Sequence, residues 1–269
     1  MSSEGESGSH VQLARKTSAA KRLRTYFEHL NSFSNNKPLH QQWARVFGVS
    51  SIDASQPQLV ATEVARKLSL VGRQVDLVER RLRNEHPTLT PNTTSNQAHR
   101  LRLILANCLS SLQAPAGNLR NELTQDLLKT LEFWDELLPC DEVDLADSRL
   151  NEVADLLDQA EQLARNSSNA DLAEALVSII QLLRRAINDG AVGGEDEFHR
   201  NVRAAYTEAI KNEALIKQNS DDVAVSALKK VWDRFSEVCA PVILADSFLT
   251  AASRLKEIGG MAMKLLGGG

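Results

Sequence analysis

PQLVATEVARKLSLVGRQVDLVERRLRNEH, residues 57–86, decides the fold class. Within it Val64, Leu68, Val71, Val75, Val78 and Leu82 recur at spacings of 4, 3, 4, 3 and 4, flanked by Arg66, Arg73, Asp76, Glu79 and Arg80. Apolar residues at every third or fourth position fall on one face of a helix with 3.6 residues per turn, so the stretch reads as a coiled-coil-like seam of nearly three heptads. A face of this kind cannot be left in water. Val64, Leu68, Val71, Val75, Val78 and Leu82 are therefore the expected partner-binding residues, the partner being another helix of the chain, a second copy or a protein ligand.

Outward from this seam the same period recurs. Leu150, Val153, Leu157, Ala160 and Ala164 run 3, 4, 3, 4, with Glu152, Asp155, Asp158 and Glu161 on the polar side. Prolines stand where periodic patterns start or stop, and Gly72 is the one internal glycine inside such a pattern. The segments between predict helices at 18–33, 38–47, 57–86, 97–113, 118–138, 147–166, 169–188, 195–217, 221–239 and 242–258, with no strand. Ser220-Asp221-Asp222 and Asn169 with Asp171 supply acceptors for the first amides of the helices they precede. Asn188-Asp189-Gly190 reads as a helix stop, and His86 to Asn96 as a loop. The 12 aromatic residues among 269 leave the core to Leu, Val, Ile and Ala, which suits helix-on-helix packing. The expectation is an all-α, irregular multi-helix bundle of about ten helices with coiled-coil-like seams. The tetratricopeptide and ankyrin signatures are absent, which argues against a solenoid.

Charge is distributed unevenly along this helical chain. Residues 1–113 carry 15 Lys and Arg against 8 Asp and Glu, net +7; residues 120–174 carry 4 against 15, net −11; residues 175–269 carry 12 of each. The two charged segments are expected to attract one another. The sign reverses near Gln113-Ala114-Pro115-Ala116-Gly117, which places a boundary there. That reading gives a disordered tail at 1–10, a basic helical region at 11–113 and an acidic-to-neutral helical bundle at 118–269, the last two able to form one continuous domain.

Several function classes lack their signatures. Cys108, Cys140 and Cys239 make no Cys-x-x-Cys, so neither a disulfide framework nor a zinc site is expected. His10, His29, His40, His86, His99 and His199 make no paired-ligand spacing, and no phosphate loop or nucleophile elbow occurs. No metal and no cofactor is implied. The acidic run Asp141, Glu142, Asp144 and Asp147 lacks the glycine and closing glutamate of a calcium loop and is expected to stabilise the start of the next helix. The first ten residues lack an apolar leader, and no apolar run approaches the roughly 20 residues of a membrane span, so a cytoplasmic location and no transmembrane segment are expected.

One spacing bears on catalysis. Arg24 precedes His29, and Arg81 precedes His86, by five residues. This resembles the Arg-x4-His motif of the HEPN ribonucleases, an all-helical and usually dimeric family. The resemblance implies that His29 or His86 would act in RNA cleavage while Arg24 or Arg81 holds the scissile phosphate. The arginine and histidine content of the chain also produces such spacings unaided, so catalysis is the alternative and not the leading reading. Arg15, Lys16, Lys21, Arg22 and Arg24, with a second knot at Arg80, Arg81 and Arg83, could attract nucleic acid through counterion release. The first five scatter around a helix without interleaved aromatics, which makes a nucleic-acid partner the weaker expectation. The apolar, weakly cationic C-terminus, Val242 to Leu266, supports a second alternative, a membrane-perturbing effector. The leading reading is a non-catalytic helical protein-interaction or assembly component of a cytoplasmic complex, with a protein partner or self-association through the helical seams.

Overall fold

The computed structural model describes residues 16–49, 56–89, 91–140, 142–143 and 149–244. Ten helices follow in order: α1 (Ala19–Ser32), α2 (Leu39–Val46), α3 (Pro57–Glu85), α4 (Pro91–Ser110), α5 (Gly117–Glu122), α6 (Gln125–Leu137), α7 (Arg149–Arg165), α8 (Ala170–Lys211), α9 (Glu213–Gln218) and α10 (Val223–Leu244). The all-α multi-helix bundle is thus observed. Among the described residues two short segments, β1 (Lys16–Thr17) and β2 (Glu142–Val143), pair antiparallel with Lys16 opposite Val143.

Local chemistry explains most helix ends. Ser18 caps α1 by accepting from Lys21 N at 2.9 Å, Asn169 caps α8 by accepting from Leu172 N at 3.1 Å, and Asp222 accepts from Ala224 N at 2.7 Å at the start of α10. Gly48 takes φ 64° just beyond α2, the left-handed geometry that glycine adopts without a Cβ penalty.

Four expected boundaries are corrected. The proposed loop 86–96 is mostly helix, because Pro91 opens α4 at the first position, where its missing N–H costs nothing. The segment 118–138 is two helices, α6 restarting at Thr124, whose hydroxyl accepts from Leu127 N at 3.4 Å. Asn188-Asp189-Gly190 does not stop a helix; α8 continues and breaks at Gly194, with φ 72° and ψ −165°. Finally, α10 continues past Pro241 to Leu244. The remainder of the 242–258 segment, the tail at 1–10 and the apolar C-terminus from residue 245 lie outside the described residues.

Two hydrophobic cores result. The first gathers buried residues between Ala19 and Leu138, together with Val192 alone from the second half of the chain. In it Trp43 stacks on Phe47 at 5.1 Å and meets Phe33 edge-on at 5.0 Å. The second runs from Val153 to Phe235, where Phe198 stacks on Phe235 at 5.6 Å and Tyr206 meets Trp232 edge-on at 4.5 Å. The division between cores falls between Leu138 and Val153, whereas the charge reverses near Gln113. Residues 112–115 are instead stitched to the start of α2: Leu39 N donates to Ala114 O at 3.0 Å, His40 N to Leu112 O at 2.9 Å, and Pro38 bridges Pro115.

The seam of α3 is buried completely. Val64, Leu68, Val71, Val75, Val78 and Leu82 are all at most 1% exposed, covered by α1, α2, α4 and α6 of the same chain. In α7, Val153, Leu157, Ala160 and Ala164 are likewise buried, against α8 and α10, while the side chain of Leu150 lies outside the described set.

Candidate functional site

The two cores meet where the bend of α8 rests on α3 and α1. On α3, Lys67, Gln74 and Arg81 are seven residues apart and so share one face, with Arg66 and Arg73 beside it. On α1, Arg22 and Tyr26 are one turn apart. The bend of α8 brings Asp189 to Glu197 against these side chains.

A helix break leaves carbonyl groups without intrahelical partners. At this break side chains of the first core supply donors, Tyr26 Oη to Ala191 O at 3.3 Å and Gln74 Nε2 to Gly193 O at 2.6 Å, and before it Lys67 Nζ donates to Asn188 O at 2.9 Å. Beyond the break Glu195, Asp196 and Glu197 fall in the first turn of the resumed helix, where negative charge is favoured by the helix dipole. Glu197 Oε1 is held by Arg73 Nη1 at 2.8 Å and Arg200 Nη1 at 2.6 Å.

Ion pairs complete the joint. Arg66 grips Asp189 with both terminal nitrogens at 2.5 Å, and Glu63 with Nε and Nη2 at 2.8 and 2.6 Å. These hydrogen bonds, donated to Glu63 first and then to Asp189, hold the guanidinium protonated well beyond its ordinary range. Lys67, 3.9 Å from Asp189, is pushed the other way, because burial opposes its charge more than the neighbouring carboxylates support it. Arg22 Nη2 lies 2.5 Å from Glu142 Oε2 and 2.9 Å from Gln74 Oε1, and Arg81 Nη2 lies 3.5 Å from Glu142 Oε1. Gly194 makes this approach possible: a Cβ there would overlap Arg22 Nη2 and sit 2.7 Å from Glu142 Oε2.

The joint is therefore almost wholly polar. Val192 is the single residue of α8 that enters the first core. Asp189, Glu142 and Glu197 are each at most 5% exposed, yet every one is met by cations from α1 or α3. Such a network neutralises charge and positions backbone.

The Arg/His pairs are placed elsewhere in purpose. Arg81 faces Glu142, and His86 Nε2 is 3.1 Å from Leu137 O. Arg24 is surrounded by Glu28 at 2.7 Å, Asp135 at 3.5 Å and Glu132 at 3.6 Å, while His29 stands exposed on α1. A guanidinium already neutralised by carboxylates attracts a phosphate weakly. Glu142 corrects one expectation: it pairs with Arg22 and Arg81 instead of stabilising the start of α7, and Asp141, Asp144 and Asp147 lie outside the described residues. Among the described residues no cluster of three or more His, Cys, Asp or Glu could hold a metal, and no helix is long and apolar enough to cross a membrane. Cys108 is buried, its thiol pushed up to about 12 by burial.

Sequence reasoning had Arg66 and Arg73 as seam flanks and Arg22 as one of a scattered basic group, but missed Gln74, Asp189, Glu197 and the bend at Gly194 as one site. The available signal was the heptad repetition of Arg66/Arg73 and Lys67/Gln74/Arg81 beside the seam. Compared with family models, curated proteins and solved structures, the chain gives no match.

Proposed function

We propose that this chain is a non-catalytic helical interaction or assembly component of a cytoplasmic complex. The observation that carries the reading is how the two cores join. A surface of charged and amide side chains with one apolar residue has the composition of an exchangeable protein–protein interface, more polar than a core and suited to relative movement of its sides. Solvent-facing Leu59, Leu103, Phe133, Leu163, Ile210 and Val223 add apolar contact area away from the joint. The carboxylates around Arg24 and Arg81 weigh against the ribonuclease alternative, since either arginine would have to exchange them for a phosphate.

The test combines two measurements on the full chain. Light scattering and chemical cross-linking, with and without extract from its host, should reveal a larger stable species. Incubation with structured and single-stranded RNA should leave the RNA intact. Cleavage by the wild-type chain that disappears in a His29→Ala, His86→Ala double variant would establish the ribonuclease reading instead.

A further inference from the structure

We propose that the bend of α8 is a built-in stand-in for an acidic segment of a partner protein, covering a peptide-recognition face formed by α3 and α1. This deepens the interaction reading above and rests on it. If the bend withdraws, Arg66, Lys67 and Arg73 lose Asp189 and Glu197 as counter-charges, while Glu63 stays on Arg66 and Glu142 stays between Arg22 and Arg81, so five cations of one surface keep two of these four carboxylates. Cations left together on one face attract an acidic ligand.

Backbone recognition points to a peptide and away from a polyphosphate chain. Three donors of this face, Lys67, Tyr26 and Gln74, meet main-chain carbonyls of residues 188, 191 and 193, while Val192 fills the apolar position between them. Carboxylates at either end, Asp189 and Glu197, set the span. A partner able to replace the bend would present the same pattern: two acidic residues about two helical turns apart, a small apolar residue between them, and carbonyls freed by a turn. Two of the cations that hold the bend are partly in water, Arg66 at 37% and Arg73 at 47% side-chain exposure, so their pairs are open to screening.

The experiment uses the full-length chain and, as probe, a fluorescein-labelled peptide of residues 186–200 of this sequence. The wild-type chain should bind it weakly, whereas Asp189→Asn with Glu197→Gln should bind it at least about tenfold more tightly, because the internal competitor has lost its charges. Adding Arg66→Ala and Arg73→Ala to that variant should abolish the gain. A helical, cooperatively melting Asp189→Asn, Glu197→Gln chain that binds no peptide would overturn the proposal. So would tighter binding of an RNA oligomer than of the peptide, or a wild-type dimer that exchanges bends between copies.

A second measurement needs no variant. Amide hydrogen exchange at residues 191–194 of the wild-type chain should accelerate at least about threefold between about 50 and 500 mM KCl, over which the Debye length falls from roughly 14 to 4 Å. Amides buried in α7 and α10 should not respond. Salt-independent exchange at the bend would overturn the proposal even if the double variant failed to fold. The two readings fail separately: a chain that forms no assembly yet captures the peptide loses the first, and an assembly with a salt-insensitive bend loses the second.

Discussion

Three glycine-to-alanine variants separate the forces that fix the bend of α8. Gly72 lies in the interior of α3 with nothing within 4 Å of where a Cβ would sit, so Gly72→Ala should stabilise the chain by about 1 kcal/mol through helix propensity alone. Gly48 also has open space around it, but its φ of 64° is left-handed, and alanine there should cost about 1–2 kcal/mol of backbone strain. Gly194 carries both penalties. Its φ of 72° with ψ of −165° lies in a region used almost only by glycine, worth about 1–3 kcal/mol. Its Cβ would also displace Arg22 from Glu142 and Gln74, forfeiting charge-assisted hydrogen bonding worth about 1.5–3 kcal/mol.

Gly194→Ala should therefore destabilise by about 2.5–6 kcal/mol, a large share of the roughly 5–15 kcal/mol available to a folded domain. Urea denaturation followed by far-UV circular dichroism measures all three. With a slope of about 3 kcal/mol per molar, the Gly194→Ala midpoint should fall by about 1–2 M, the Gly48→Ala midpoint by well under 1 M, and the Gly72→Ala midpoint should rise. The decisive comparison is Gly194→Ala with Gly48→Ala. Equal midpoints would mean that the overlap with Arg22 and Glu142 costs nothing, and the tightly packed joint would be refuted.

Other outcomes follow from burial and charge. Val71 is fully buried, so Val71→Asp removes about 1.5–3 kcal/mol of burial and adds an unhydrated charge; cooperative thermal unfolding should be lost, and an unchanged melting temperature would refute the seam packing. Burial pushes the Glu79 carboxyl up, but hydrogen bonds from Arg102 and Ser95 outweigh it and hold the group below its ordinary 4.5. Its contribution is then complete above pH 4.5 and lost as pH falls through the depressed value, so Glu79→Gln should flatten the acid limb of stability against pH. Lys67 is depressed from 10.5 chiefly by burial, so the unfolded chain binds the extra proton; stability should rise as pH approaches 10.5, and Lys67→Met should remove that rise in alkaline urea titrations.

What the sequence makes legible is local. The caps at Asn169 and Asp222 follow from a side chain reaching an amide two or three residues on, geometry that needs nothing else from the chain. The seam of α3 is legible for the same reason, since period alone places its six apolar residues on one face. Asn188-Asp189-Gly190 misleads because its stop signal is overridden from a distance. Arg66 engages the Asp189 carboxylate, Lys67 takes the Asn188 carbonyl, and the break moves to Gly194, where glycine is needed for φ and for the approach of Arg22. The joint is illegible for that reason too: Arg66 and Asp189 are 123 positions apart, and no periodicity links them.

The charge partition shows how far a segment's net charge can stray from its pairing. The acidic stretch 120–174 straddles the division between the two cores, so its carboxylates serve different neighbours. Glu132, Asp135 and Glu142 face Arg24, Arg22 and Arg81 of the basic segment. Asp158 and Glu161 of α7 turn to Arg184 of α8, at 2.7 and 2.9 Å, and Glu152 to Arg234 of α10. Arg66 and Arg73 of α3 are gripped instead by Asp189 and Glu197, in the segment whose charges sum to zero. A sum over many residues describes attraction at distances beyond about 10 Å, where salt screens it; pairing at 2.5–3 Å is decided by which helix faces meet. In this chain the bend at Gly194 sets that meeting, and the charges that matter most are those the net count cancels.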